Sequence, residues 1–123
     1  MILMATASDC LFCKIVAGEI PNDTVHETDT VLAFRDITPR ANVHVLVIPK
    51  AHQDTLAQMS AEDADSVAEL FTAAGEVARL EGIDESGYRV VSNVGPDAGQ
   101  EVFHVHVHVL GGQNLGPVAA GRG

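Results

Sequence analysis

Residues 102–110 read Val-Phe-His-Val-His-Val-His-Val-Leu, and this alternation decides the fold reading. Side chains on a strand point to opposite faces in turn, so His104, His106 and His108 share one face. Phe103, Val105, Val107 and Val109 share the other. The segment from Val102 to Leu110 is therefore the clearest strand in the chain. Three imidazoles in strict alternation serve no packing purpose, and two chemistries suit them. One is a metal site, with ring nitrogens at about 2.0–2.1 Å from zinc. The other is nucleophilic catalysis, in which one ring attacks while its neighbours orient it or protonate a leaving group.

Upstream of this strand, Gly95-Pro96-Asp97-Ala98-Gly99 is a turn-rich loop, and Tyr88–Asn93 is another strand candidate. Further back, Val67, Leu70, Phe71, Ala74, Val77 and Ala78 recur at helical spacing. Ser60 and Asp63 resemble a capping box and Gly82 a C′ residue, which predicts one long amphipathic helix from Ser60 to Glu81. Strand-like runs occupy Thr24–Glu27, Thr30–Ile37 and Val43–Ile48, the last two joined by a turn at residues 38–42. A short helix over Leu11–Val16 ends near Gly18, before the breaker Pro21-Asn22. Strands on both sides of one central helix, without βαβ alternation, predict an α+β domain with an antiparallel sheet.

A length of 123 residues, 46% of them hydrophobic, suits a single domain over 1–123 that needs no disulfide staple. Its core is expected over about residues 10–112, with a loose tail over 113–123. The formal charge of −10 disfavours a long nucleic acid as partner, because tracking a phosphate backbone takes clustered Lys and Arg. A small anionic ligand remains compatible with it, bound by backbone N–H groups and a few placed side chains. The opening MILMATASDC carries no basic n-region and the sequence has no membrane-length apolar run, so a cytoplasmic protein is expected. Cys10 and Cys13 are its only cysteines. Their two-residue spacer would let both sulfurs hold one zinc, given two further ligands. Free buried thiols and a redox pair are the alternatives.

The triad stretch HVHVHVL has the His-x-His-x-His-x-x form of the histidine triad superfamily. LFCKIVAGEIP, FRDITPRANVHVLVIPKAH and YRVVSNVGPDAGQEVFHVHVHVLGG together resemble its nucleotide-binding branch, over most of residues 10–112. The resemblance implies a HIT-like fold and hydrolysis of purine nucleoside phosphoramidates or acyl-nucleotides to the nucleoside monophosphate. It makes His106 the nucleophile of a covalent nucleotidyl-histidine intermediate, His108 the group on the α-phosphate and leaving group, and His44 a relay partner. Asp36 would hold the ribose hydroxyls. Leu11, Phe12, Ile15, Ile20, Phe34, Arg35 and Ile37 would line the base pocket. Asn93, Gly99, Gln100, Glu101 and Val102 would border the phosphates.

Where family members often carry Ser or Thr after the glutamine, this chain has Glu101, which when ionised only accepts hydrogen bonds. By the same resemblance Cys10, Cys13, His52 and His104 would hold a structural zinc, and no catalytic cofactor would be needed. The chain would pair as a homodimer. Dinucleoside polyphosphate hydrolysis and a nucleotide-binding interaction module are the rival readings. A third is a metal protein in which all three triad histidines are ligands.

Overall fold

The computed structural model describes residues 9–118. Its elements are α1 (Leu11–Val16), β1 (Thr24–Glu27), β2 (Val31–Arg35), β3 (Val43–Pro49), α2 (Leu56–Glu62), α3 (Ala64–Leu80), β4 (Tyr88–Val91) and β5 (Val107–Gly111), with a 3₁₀ turn at Pro96–Ala98. The five strands form one antiparallel sheet in the order β1-β2-β3-β5-β4. The expected α+β, HIT-like architecture is what the chain adopts: an antiparallel sheet, one long helix and a short N-terminal one.

The sheet's period of two builds two separate cores. Val31 and Ala33 of β2, Val45 and Val47 of β3, and Val107 and Val109 of β5 pack against Leu70, Ala73, Ala74, Val77 and Ala78 of α3. Leu32, Phe34, Leu46 and Ile48 point the other way and pack on Phe12 and Ile15 of α1. Because β2 and β3 are covered on both faces, they read as nearly continuous apolar runs. Small valines and alanines on the α3 side let helix and sheet approach closely. The α1 helix covers only part of the opposite face, and the rest forms a cavity.

Two local readings are corrected. The helical segment is two helices, not one from Ser60 to Glu81, and it begins earlier, with Thr55 capping α2 by accepting from Gln58 N–H. Ser60 sits inside α2, its hydroxyl donating to the Leu56 carbonyl. The break falls at Asp63, whose extended φ of −152° ends α2 while its carboxylate accepts from the N–H of Ser66 at 3.2 Å and starts α3. The sequence pattern placed the cap at Ser60 and ran across Asp63 because α2 continues the apolar spacing. The second correction concerns the triad strand. Ladder pairing starts at Val107, while residues 102–106 run outside the sheet. Val105 still faces the α3 core, but Phe103 is 45% exposed and does not join that face.

Part of the expected loose tail is tethered. The Asn42 N–H donates to Gln113 Oε1 at 2.7 Å, and Arg89 donates to the Gly116 carbonyl at 2.6 Å. Residues 119–123 lie outside the described residues. Among the described residues no helix is long and apolar enough to cross a membrane.

Replacing the true cap, Asp63→Ala, is expected to lower the urea midpoint of unfolding. Ser60→Ala, which removes no cap, should leave the urea midpoint nearly unmoved. Equal losses in both would contradict the assigned break.

Candidate functional site

Strand register brings the histidines together. On β3 and β5, His44 is opposite Leu110 and Leu46 opposite His108, so His44 and His108 are diagonal neighbours on the face away from α3. Their rings meet, His44 Nε2 to His108 Nδ1 at 2.9 Å. The backbone N–H of Arg40 donates to His44 Nδ1 at 3.1 Å. An amide can only donate, so neutral His44 carries its proton on Nε2 and gives that hydrogen bond to His108. The proton of neutral His108 is then left on its own Nε2.

The same reasoning assigns the other two triad rings. His106 Nδ1 lies 2.8 Å from the carbonyl of His104, which can only accept. Nδ1 therefore bears the proton, and Nε2 of His106 keeps a free lone pair. His104 Nε2 donates to the Pro49 carbonyl at 2.7 Å, which leaves its Nδ1 as the lone-pair nitrogen. That nitrogen faces Cys10 Sγ at 3.4 Å and Cys13 Sγ at 3.5 Å. His52 Nδ1 lies 3.4 Å from Cys13 Sγ, while its Nε2 bonds Asp54 Oδ1 at 2.8 Å. The four donors Cys10, Cys13, His52 and His104 thus form one cluster able to coordinate a metal ion.

Burial, then the neighbouring His106 and His44, pushes the His108 pKa down from 6.5 to about 4. Burial also lowers His44, against the partial opposition of Asp36. The guanidinium of Arg40 works in the same direction as burial on both rings. His104, fully buried, is pushed to about 4 chiefly by burial. These three rings are held neutral near pH 7, as the proton assignments above require.

His44, His106 and His108 open onto a cavity of about 600 Å³, a size suited to a nucleotide-like ligand. Leu11, Phe12, Ile15, Ile20, Phe34 and Ile37 line it, together with Asp36, Asn93, Gly99, Glu101 and Val102. Phe12 stands edge-on to Phe34 at 5.8 Å and to His106 at 5.1 Å, joining the apolar slot to the triad. Asp36 is partly committed: Oδ1 accepts from the N–H and hydroxyl of Thr38 at 2.8 and 3.1 Å, and Oδ2 lies 3.5 Å from His44 Nε2. Gly99 follows the 3₁₀ turn at a φ of +86°, where a side chain would be strained.

Two expected lining residues direct their side chains elsewhere. Arg35 borders the cavity, but its guanidinium is forked onto Glu81 and bonded to Asp23. Gln100 is buried outside the cavity and ties the loop together. Its Oε1 accepts from Gly95 N–H at 2.9 Å, and its Nε2 donates to the carbonyls of Asp54 at 2.7 Å and Val102 at 3.1 Å. Sequence reasoning missed Arg40 and Leu46, which also line the cavity. Leu46 was legible as the residue two beyond His44 on one strand face. Arg40 lay in a turn that offers no periodicity. His26 lies half-buried on β1, with Glu76 lining the same surface hollow.

Hydrogen-bonded histidines on one face of an antiparallel α+β sheet, opening onto a half-apolar cavity, define a histidine triad protein. The HIT domain family model matches residues 17–115, and the chain belongs to this family. Purine nucleoside phosphoramidase of Escherichia coli K12 is 44% identical over 117 residues, covering 95% of this chain and 98% of that protein. A 14 kDa zinc-binding protein of Brassica juncea is 46% identical over 109 residues, covering 87% and 96%. Among solved structures, a HIT family hydrolase from Clostridium thermocellum superposes with a TM-score of 0.88 at 44% identity, covering 91% of this chain and 97% of that one.

The depressed His108 and His44 pKa values carry a stability consequence. A base whose folded pKa lies below its unfolded value binds fewer protons when folded, so acid favours the unfolded chain. Stability is complete above about pH 6.5 and is lost as pH falls toward about 4. Denaturant midpoints measured from pH 7 to 4 should decline through that window. Ring NMR signals should show His108 still neutral at pH 5.5.

Proposed function

We propose that the protein hydrolyses purine nucleoside phosphoramidates or acyl-nucleotides to the nucleoside monophosphate, through a nucleotidyl intermediate on His106. The observation that carries this reading is the bond from His106 Nδ1–H to the His104 carbonyl. It leaves a lone pair on Nε2 at a ring that lines the cavity. The activity named for the Escherichia coli relative is of the same class.

In the first half-reaction His106 Nε2 bonds to the α-phosphorus as the bond to the leaving nitrogen breaks. The leaving nitrogen departs with a proton taken up from solvent, while His108, which stays neutral, donates its Nε2–H to the α-phosphate, and the nucleotidylated His106 ring carries the positive charge. An acyl leaving group departs as a carboxylate and needs no proton. Water then attacks phosphorus, the bond to His106 breaks with its electron pair returning to Nε2, and one water proton is released to solvent. His44, held by Arg40 N–H, keeps His108 in the tautomer that points its proton into the cavity. Splitting the transfer in two lets one set of donors stabilise similar charge twice. Asp36 would accept from the ribose hydroxyls with its less committed Oδ2, and the Phe12 and Phe34 slot would take the base.

The cysteine and histidine cluster fits zinc. Zn–S near 2.3 Å and Zn–N near 2.0–2.1 Å at tetrahedral angles place sulfur and nitrogen about 3.5 Å apart, close to the 3.4–3.5 Å separations found here. Both histidines also point Nδ1 lone pairs at the sulfurs, with Nε2 held by an oxygen, the arrangement that orients metal-bound imidazoles. Such an ion would be structural, because four protein donors leave no open position. It would tie α1 to the segment leading into β5. The thiol pair suits the reducing cytoplasm.

The homodimer reading rests on β4, whose outer edge has no partner strand among the described residues, and on the exposed Phe71 and Leu80 of α3. Sedimentation at micromolar concentration should then give twice the chain mass.

His106→Ala should lower phosphoramidate turnover by roughly a thousandfold or more while leaving monophosphate binding measurable. Mass spectrometry of quenched wild-type enzyme should find a nucleotidyl adduct on His106. Retained turnover in the variant would rule out covalent catalysis. Metal analysis should return one zinc per chain, kept in His106→Ala and lost in Cys10→Ala.

A further inference from the structure

The cavity is bordered by three carboxylates and two guanidinium groups: Asp23, Asp36, Glu101, Arg35 and Arg40. Two of the carboxylates are already engaged. Asp23 pairs with Arg35 at 3.1 Å. Asp36 is divided between Thr38 and His44. Glu101 alone of the three takes no hydrogen bond and no ion pair among the described residues.

Its backbone, by contrast, is well anchored. The preceding Gln100 is buried and bonded at both ends of its amide, and Val105 N–H donates to the Gln53 carbonyl at 2.8 Å. The loop therefore presents an unspent negative charge at the mouth of a site that must accept an anionic phosphate. Such a charge gains nothing from the phosphate itself. It interacts favourably with a cation carried by the part of the substrate beyond the phosphate, and unfavourably with an anion there.

We infer that Glu101 sets leaving-group specificity, favouring nucleotides whose leaving group carries an ammonium or other cationic group and disfavouring anionic ones such as polyphosphate. The inference rests on the phosphoramidate reading above and adds to it the charge of the preferred substrate. Glu101 takes no part in bond making. It acts through the electrostatic energy of the bound leaving group, and this explains why a residue that can only accept is tolerated beside the phosphates. Exposure of the carboxylate keeps the effect modest, of the size of a surface ion pair.

The test uses three phosphoramidates of one nucleoside, whose leaving amines have equal chain length and end in an ammonium, a methyl or a carboxylate group. The readout is the ratio of kcat/KM between the charged substrates and the neutral one, so that any general loss in a variant cancels. Wild-type enzyme should rank ammonium over methyl over carboxylate, each step about twofold to fivefold at low salt, with the spread shrinking as ionic strength rises. Glu101→Gln should collapse the spread, and Glu101→Lys should invert it. An unchanged ranking in Glu101→Lys overturns the inference.

Trapping the His106 adduct from the methyl-terminated substrate separates the two readings. An adduct formed without charge preference sinks only the role of Glu101. No turnover and no adduct with any of the three sinks the phosphoramidate reading, and the inference with it.

Discussion

His104 is the residue on which the site's arrangement turns, because it is bound in two directions at once. Its ring is buried, with Nε2 on the Pro49 carbonyl and Nδ1 turned to Cys10 and Cys13. Its own carbonyl receives the Nδ1 proton of His106. A shift of this one peptide would change the tautomer and the orientation of the His106 ring together. The cysteine cluster is therefore mechanically linked to the His106 Nε2 lone pair. Irregular backbone between Val102 and His106 makes this possible. A regular strand would spend the His104 carbonyl on its neighbour.

The two cores divide the labour of the sheet. The valine face against α3 is tightly filled and supplies most of the buried apolar side chains. The α1 face is smaller, and it is where the chain keeps an open cavity lined by polar groups. Burying several histidines there costs stability under acid, since each must stay neutral while the unfolded chain can protonate. That cost is the counterpart of the proton assignments the site requires. Every buried side-chain nitrogen and oxygen among the described residues has a hydrogen-bond partner, so the polar face is a connected network in which replacing one ring disturbs the next.

Charge is arranged on a finer scale than the net value suggests. A formal charge of −10 argues against polyanions in general, yet the cavity binds its carboxylates internally and places Arg40 close to His44 and His108. A small anion would meet that guanidinium locally whatever the net charge. Among the described residues lining the cavity, only Glu101 adds a carboxylate with no hydrogen bond or ion pair, a charge of the same sign as a phosphate's.

Much of this was legible from residue order. The alternation from His104 to Val109, the apolar spacing of α3 and the valine-rich strands specified an antiparallel α+β domain, because periodicity reports which face each side chain occupies. The Cys10 and Cys13 spacing likewise marked the pair as possible ligands, since two intervening residues bring sulfurs together on one short turn. The break at Asp63, the late start of β5 and the diversion of Arg35 and Gln100 were not legible. Each depends on which partner competes for a group: Glu81 captures Arg35, three backbone groups capture Gln100, and a cap at Asp63 overrides a continuing apolar pattern. The sequence by itself determined the types and faces of the site residues. Tertiary structure alone decided which ring nitrogen keeps its lone pair, because carbonyls and amides distant in the chain assign the protons.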